Sequence, residues 1–377
     1  MKTCILHIGM HKTGSSSIQE SLWSNLRDSG FRYIEVTGHP NGCQFMNAAF
    51  LVDPRKYWVY QKQGLSQQKL FRAKKCYRRR LRKQLRRLSD TDVTPILSAE
   101  ACWMFSADDL ASIRDFMLEE NYQTHIVVYL RPMKSWVESM IQEHVKFASG
   151  FTDFENFGDE FCRQELNYLE RLQILEETFG ADNIHIRPFT KTGLINRCAV
   201  TDFCQTVGIA FNPKDIVRSN DGLCADAVRM LHCYDIYVRR IRPPSLAASQ
   251  LLNMHLKELK GDAFHLHSSV IDPIKEHIIA QNEKIHGRYG IDLHEDFFAH
   301  DQGPCIREHS DLLAFSQQSL DWLAARVHQP SVRICKDENT ARVVAQQVNA
   351  LLSRPSWRLR LKRLRQSLRL KLIEWLP

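Results

Sequence analysis

The sequence predicts an α/β fold, a three-layer sandwich around a parallel sheet, with a largely helical C-terminal portion. Short apolar runs alternate with amphipathic helical patterns over the first half of the chain, which is typical of parallel strands joined by helices on both faces of a sheet. From residue 212 onward the pattern is mostly helical, with weaker signals over residues 300–346. A chain of 377 residues, 44% of them hydrophobic, is long enough for one such domain with appended helices.

The strands are predicted from short apolar runs bounded by turn residues. They cover residues 4–9, 32–36, 94–100, 125–131 and 183–189. Helices are predicted where apolar residues recur every three or four positions. They cover residues 17–30, 69–87, 106–120, 134–146, 165–179, 226–240, 247–260, 272–289, 311–327 and 339–352. The stretch from residue 40 to residue 64 is predicted to be irregular.

Residues 1–300 are predicted to form the α/β domain, 301–353 a helical extension and 354–377 a basic tail helix. The net charge of +8 is concentrated in two segments without acidic residues. Residues 69–87, the basic arm, contain eleven Lys and Arg, and residues 354–371 contain eight. Such stretches indicate anionic partners.

The basic arm lies in sequence between a glycine-rich turn and Glu100, so it either borders a substrate cleft or is a solvated helix. In the tail, Trp357 and Trp375 flank a leucine stripe with arginines on the other faces. This pattern suits an anionic membrane surface, or packing on the protein itself or a second subunit. A nucleic-acid partner is disfavoured because no binding motif is present.

The compartment is predicted from the cysteines and from the hydropathy. Eleven cysteines without a C-x-x-C pair are typical of a reduced protein, and the Cys and His residues do not cluster as metal ligands. No run of 18 apolar residues occurs. We expect a cytoplasmic protein without a metal, either soluble or peripheral at the inner face of the membrane.

Residues 9–17 read GMHKTGSSS and lie between a predicted strand and a predicted helix. Backbone amides and the positive end of a helix hold phosphate at such a turn. In a nucleotide-triphosphate loop of the G-x-x-x-x-G-K-[ST] type the lysine follows the second glycine, whereas here Lys12 precedes Gly14. The alternative is a plain glycine turn with a solvated lysine.

A second candidate anion contact follows the strand at residues 125–131. Arg131 ends that strand, and Ser139 follows eight positions later on the predicted helix. A guanidinium offers a forked donor to phosphate, and a hydroxyl adds a further contact. A surface ion pair of Arg131 with a helix carboxylate is the alternative.

The segments HIGMHKTGSSSIQ and VVYLRPMKSWVESMIQEHVK resemble the 5'-phosphosulfate loop and the 3'-phosphate element of sulfotransferases that use 3'-phosphoadenosine 5'-phosphosulfate. The resemblance covers residues 3–220 and implies the sulfotransferase variant of the P-loop NTPase-like fold. The R-K-G-x-x-G-D-W element of the aryl and steroid enzymes is absent, which favours the bacterial, carbohydrate-type branch. The donor-binding residues that it implies are Lys12, Thr13, Gly14, Ser15, Ser16, Ser17, Arg131 and Ser139.

The resemblance further implies sulfuryl transfer to a hydroxyl or amine of a carbohydrate or glycolipid acceptor. Lys12 is the candidate for stabilising charge on the departing phosphate. Glu100 is the candidate base, because LSAE resembles the family's S-x-E at a strand end. The alternative is a cap or first-turn charge of the helix that follows. His11 and His144 are second candidates for the base.

Two other functions remain open from the sequence. One is a nucleoside-triphosphate-dependent kinase on the same fold, which the position of Lys12 disfavours. The other is a non-catalytic module that binds polyanions or membranes through the basic segments.

Overall fold

The computed structural model describes residues 1–57, 60, 64–147, 166–218, 222–241, 244–333 and 337–353. The predicted tail helix at 354–377 lies outside these residues. None of the helices in the described ranges is long and apolar enough to cross a bilayer. The chain divides into two compact units. The first comprises Met1–Pro132, Asn167–Asn220 and Ala280–His294, and the second comprises Met133–Leu166, Asp221–Ile279 and Glu295–Pro377.

The first unit contains a parallel sheet of five strands in the order β2-β3-β1-β4-β5. The strands are β1 (Lys2–Gly9), β2 (Phe31–Tyr33), β3 (Thr94–Ser98), β4 (Tyr122–Leu130) and β5 (Ile184–Pro188). All five predicted strands are therefore confirmed, with β2 shorter than predicted. The central strands are apolar along their length because helices cover both faces of the sheet.

The helices are numbered here in chain order. They are α1 (Ser15–Asn25), α2 (Cys43–Phe50), α3 (Gln67–Arg86), α4 (Ala107–Glu119), α5 (Met133–Phe147), α6 (Tyr168–Phe179), α7 (Ala199–Val207), α8 (Ala225–Tyr234), α9 (Leu246–Leu256), α10 (Ser268–Tyr289), α11 (Gln317–Val327) and α12 (Glu338–Ala350). The basic arm is helical as predicted, since α3 spans nearly all of it.

Side chains alternate between the two faces of the sheet and bury each face against a helical layer. On one face Ile5, Ile96 and Val127 pack in one cluster with residues of α1 and α7, including Ile18 and Phe203. Helices α4 and α6 contact β4 from the other side. The first unit is thus a three-layer α/β sandwich, which confirms the predicted fold class.

Helix α2 corrects the prediction that residues 40–64 are irregular. Its sequence, CQFMNAAF, has six consecutive buried residues from Phe45 to Phe50. Periodicity reveals a helix only when one face is polar, and this helix is enclosed nearly all round. Its start approaches β3 closely, because the Gly42 amide donates to the Ser98 carbonyl oxygen at 3.0 Å.

The second unit is helical. All ten residues of α8 are buried, and α8 packs against α5 and α12. Glu138 of α5 accepts hydrogen bonds from the Leu266 amide at 3.0 Å and from His265 Nδ1 at 3.3 Å. The sequence-derived boundaries at 300 and 353 remain predictions, and residues 1–300 contribute to both compact units.

A buried carboxylate fastens α7 to the sheet in the first unit. Asp202 has no exposed surface and accepts from Arg187 Nη2 at 2.6 Å, Tyr129 OH at 2.7 Å and the Ile195 amide at 3.0 Å. Burial opposes ionisation of Asp202, but these donors outweigh it and lower its pKa. The network joins β4 and β5 to α7, against which the loop after β1 also packs.

We expect Asp202→Ala to lower the free energy of unfolding by ~3 kcal/mol, because removing one partner of a buried ion pair leaves its donors unsatisfied. The expected loss lies at the low end of the usual range of ~3–5 kcal/mol, since Arg187 is partly exposed and water can reach it. Urea denaturation measures the loss. The control is Asp182→Ala, an exposed carboxylate, which should change stability by less than ~0.5 kcal/mol. Equal effects of the two changes would contradict the assignment.

Candidate active site

The strand order places the carboxyl ends of β3, β1 and β4 side by side. From β1 the chain runs to β2 and β3 on one side, then crosses to β4 on the other, so the sheet order switches at β1. Ligands of open parallel sheets bind at such a switch. In register, His7 pairs with Ser98 and Gly9 with Tyr129. Glu100 and Arg131, each two residues further along, therefore follow at the edge where the loop after β1 begins.

The loop at residues 10–14 turns through two left-handed residues. Lys12 has φ 71° and Gly14 has φ 77°, conformations that L side chains rarely adopt. A Cβ on Gly14 would also approach the Ala199 Cβ at 3.0 Å and the Phe189 ring at 3.3 Å. Glycine is thus required at position 14 for two reasons, the backbone conformation and the space.

Arg131 and Thr13 brace this loop from within the first unit. Arg131 Nη1 donates to the Lys12 carbonyl oxygen at 2.9 Å, and Thr13 Oγ1 donates to the Met10 carbonyl oxygen at 2.7 Å. The Arg131 guanidinium also lies over the Phe189 ring, 5.9 Å from its centroid. Arg131 therefore holds the loop as well as offering charge at the edge.

Helix α1 begins directly after the loop, without a side-chain cap on its N-terminus. Ser15 is the first helical residue; it is 2% exposed, and its Oγ has no hydrogen-bond partner within the described part of the chain. Gly9 lies opposite, since a Cβ there would come within 2.4 Å of Ser15 Oγ. An uncapped helix start, an unsatisfied hydroxyl and a left-handed glycine turn together fit a phosphate or sulfate group.

A buried polar layer that the sequence analysis missed lies beneath the loop. His7 Nδ1 lies 2.8 Å from Ser98 Oγ, and Gln19 Nε2 donates to the same oxygen at 3.1 Å. The three residues join β1, β3 and α1. Complete burial lowers the pKa of His7 to about 3, so its imidazole is neutral near pH ~7. The one available signal was a histidine within the apolar run CILHIG.

Glu100 is the first residue of a short 3-10 helix, Glu100–Met104, that follows β3. Among the residues that the structure describes, its carboxylate makes no hydrogen bond or ion pair. Its position in the first turn of this helix is the one that the alternative of a first-turn charge requires. The backbone of the next residue is held in place, because the Ala101 amide donates to Cys43 Sγ at 3.2 Å. Glu100 is half-buried.

The remaining predicted site residues divide between the two units. His11, Ser16 and Ser17 are half-buried and lie with Lys12 on the loop and first turn of α1 in the first unit. Ser139 and His144 lie on α5 in the second unit, where burial lowers the pKa of His144. The first unit therefore brings together Lys12, Ser15, Glu100 and Arg131 at one sheet edge.

The burial of neutral His7 predicts a pH dependence of stability. The folded-state pKa of about 3 lies below the ordinary 6.5, so between these values the unfolded chain binds a proton that the folded chain does not. The stabilisation that comes from neutral His7 is fully present above pH 6.5. It is lost as the pH falls from 6.5 toward about 3, by at most ~1.4 kcal/mol per pH unit.

His7→Asn keeps a polar atom near Ser98 and removes this titration. Its unfolding free energy should therefore fall less steeply than that of the wild type when urea denaturation is compared at pH ~7 and ~5. The control is His286→Asn, an exposed position on α10, which should retain the wild-type slope. A wild-type slope in His7→Asn would show that His7 is protonated in the folded state.

No protein-family profile and no curated protein matches the chain. Among solved structures it is similar to a sulfotransferase from Alicyclobacillus acidocaldarius, with a TM-score of 0.37 and 12% identity over 66% of this chain and 99% of that one. It is also similar to the sulfotransferase domain from the curacin biosynthetic pathway, with a TM-score of 0.34 and 9% identity over 58% and 79% of the two chains.

A third similarity is to a structure of the PezAT chromosomal toxin-antitoxin system of Streptococcus pneumoniae, with a TM-score of 0.28 and 11% identity over 59% of this chain and 79% of that one. Scores this low carry no argument about function. The chemistry of this protein is therefore inferred from its own residues.

Proposed function

We propose that this protein is a sulfotransferase. It would move a sulfuryl group from 3'-phosphoadenosine 5'-phosphosulfate to a hydroxyl or amine of an acceptor, a carbohydrate or glycolipid. The observation that carries the proposal is the uncapped start of α1 after the left-handed Lys12–Gly14 turn, with the buried Ser15 Oγ unsatisfied in the described part of the chain. Together with the two sulfotransferase-like sequence segments, this geometry supports an anion of the phosphosulfate type.

Each residue has a role in the proposed reaction. Residues 12–17 hold the 5'-phosphosulfate through their amides and hydroxyls, with Thr13 contributing mainly through its amide because its hydroxyl bonds Met10. Arg131 contacts the 3'-phosphate. The sequence resemblance also assigns Ser139 to donor binding. Lys12 offsets the negative charge that develops on the departing phosphate oxygen.

The transfer is an in-line displacement at sulfur. The acceptor oxygen or nitrogen forms a bond to sulfur while the bond from sulfur to the bridging phosphate oxygen breaks, and that oxygen keeps the electron pair. Glu100 takes the acceptor proton, which its unoccupied, half-buried carboxylate supports. His11, on the loop itself, is the alternative base.

Binding of 3'-phosphoadenosine 5'-phosphate in EDTA tests the donor site. By calorimetry we expect Arg131→Ala to weaken binding at least ~10-fold, because charge-assisted hydrogen bonds are lost and the loop is no longer held at Lys12. The matched control is Arg114→Ala, an exposed arginine on α4 that pairs with Asp115, which should bind as the wild type does.

Two results would count against the donor assignment. Binding of ATP with magnesium in place of the bisphosphate would favour a kinase on the same fold. No nucleotide binding, together with retention on anionic polymers or vesicles, would favour a non-catalytic binding module.

Glu100→Gln tests the base. We expect unchanged bisphosphate affinity and a fall in kcat of at least ~100-fold, because the amide cannot accept the proton. Release of the bisphosphate in the presence of a carbohydrate or glycolipid acceptor measures turnover. His11→Gln is the companion variant. Loss of turnover in His11→Gln with full turnover in Glu100→Gln would assign the base to His11.

A further inference from the structure

A groove of about 1030 Å³ lies in the first unit, beside the edge strand β2. The C-terminal end of α1 and the following turn form one wall, α3 forms the other, and residues 31–36 form the floor. We call it the cationic groove after five of its lining residues. They are Arg27, Arg32, Arg80, Lys83 and Arg87.

Four of these cations have no partner among the residues that the structure describes. Across the described ranges, the side chains of Arg32, Arg80, Lys83 and Arg87 make no hydrogen bond or ion pair. The groove also holds two carboxylates, but both already accept backbone hydrogen bonds. Asp28 accepts from the amides of Gly30 and Ala210, and Glu35 accepts from the amide of Gly38.

The cations on the opposite flank of α3 bond to other parts of the protein, unlike those of the groove. Lys74 and Arg78 donate to the carbonyl oxygens of Leu51 and Ala49 at 3.0 and 2.9 Å. Arg82 and Arg86 pair with the buried Glu120. One flank of the helix is therefore bonded to the protein, and the flank at 80, 83 and 87 faces the groove without such bonds.

We propose that the cationic groove binds an acidic polysaccharide. Arg80 and Arg87 are seven residues apart, so the cations extend over roughly 10 Å along the helix axis and suit a chain better than a single ion. The half-buried indole of Trp23 adds an apolar surface to the wall. Unpaired arginines and lysine at the rim attract carboxylate or sulfate groups.

The two carboxylates favour a glycan over a nucleic acid. The backbone of a nucleic acid offers phosphates and few hydroxyl donors, so Asp28 and Glu35 would repel it. Each sugar of an acidic polysaccharide carries free hydroxyls beside its charged group, and hydroxyls donate hydrogen bonds to carboxylates. The aromatic residues among the groove's described lining are Trp23 and Phe31, which are half-buried, and Tyr33, which is buried, so they do not form the exposed row on which single-stranded bases stack.

The groove and Glu100 belong to the same unit, although Glu100 does not line the groove. If the proposed sulfuryl transfer holds, the chain in the groove is a candidate acceptor. The binding of the chain does not itself rest on that function.

The test compares two triple variants of the full-length protein. Arg80→Glu with Lys83→Glu and Arg87→Glu reverses the charge of the groove. Arg72→Glu with Lys75→Glu and Arg79→Glu makes the same charge change on the exposed face of α3, where these residues line no part of the groove. The basic tail is present in all proteins, so the difference between the variants reports the groove.

The probe is polygalacturonate, with dextran as the neutral glycan, at low ionic strength. We expect the groove variant to bind polygalacturonate at least ~10-fold more weakly than the wild type, and the matched variant to change less than ~3-fold. Thermal unfolding checks that both variants are folded. If the groove variant is not folded, Gln replaces Glu at positions 80, 83 and 87, and weaker binding of polygalacturonate is again expected.

Equal losses in both variants would overturn the proposal, because general charge rather than the groove would then explain binding. No binding of polygalacturonate by the wild type would overturn it as well. So would preferential, groove-dependent binding of oligo(dT) or of phosphatidylglycerol vesicles. Bisphosphate binding is measured on the same proteins. If polygalacturonate binding contradicts the groove proposal while bisphosphate binding is intact, the sulfotransferase proposal is unaffected. If bisphosphate binding fails while polygalacturonate binding depends on the groove, the groove proposal is unaffected.

Discussion

The candidate site depends on one constraint, the left-handed turn at Lys12 and Gly14. The turn aims the start of α1 at the carboxyl edge of the sheet, and a lysine with positive φ is costly unless its surroundings hold it there. Arg131 bonds the Lys12 carbonyl, Thr13 bonds the Met10 carbonyl, and Phe189 and Ala199 close on Gly14. Residues from β1, β4, β5 and α7 thus fix one loop, and the Asp202 network fastens α7 in turn.

The layer beneath that loop is polar and buried. A neutral His7, Ser98 and Gln19 form a hydrogen-bonded layer where an apolar core was expected, and His7 Nε2 and Ser15 Oγ remain without partners in the described part of the chain. Buried polar atoms without partners cost free energy, so their presence beside Gly9 is consistent with a bound group or a water that completes them. If the loop made no use of a polar group beneath it, leucine at position 7 would be more favourable, because it would bury apolar surface without an unsatisfied polar atom.

The charge of α3 has two different uses. Its net charge suggests a single cationic surface, yet Lys74, Arg78, Arg82 and Arg86 are bonded to backbone carbonyls and to Glu119 and Glu120. Arg78 and Arg82 also lie over the Phe116 ring. Of the other cations of α3, Arg80, Lys83 and Arg87 line the groove, and Arg72, Lys75 and Arg79 lie on the exposed face. A polyanion therefore meets a groove on one side of the helix and an open basic face on another.

The sequence by itself determined the five parallel strands, because strands buried on both faces must be apolar along their length. It also determined the turn at residues 9–17, because no other residue can replace its glycine. It also marked Arg131 and Glu100 by their positions at strand ends. Only the tertiary structure decided what these residues touch. Helix α2 has no polar face to give a period, the His7 layer pairs residues 79 and 91 positions apart, and the partners of α3 come from α4. Such contacts depend on which elements pack together, and local periodicity carries no information about that.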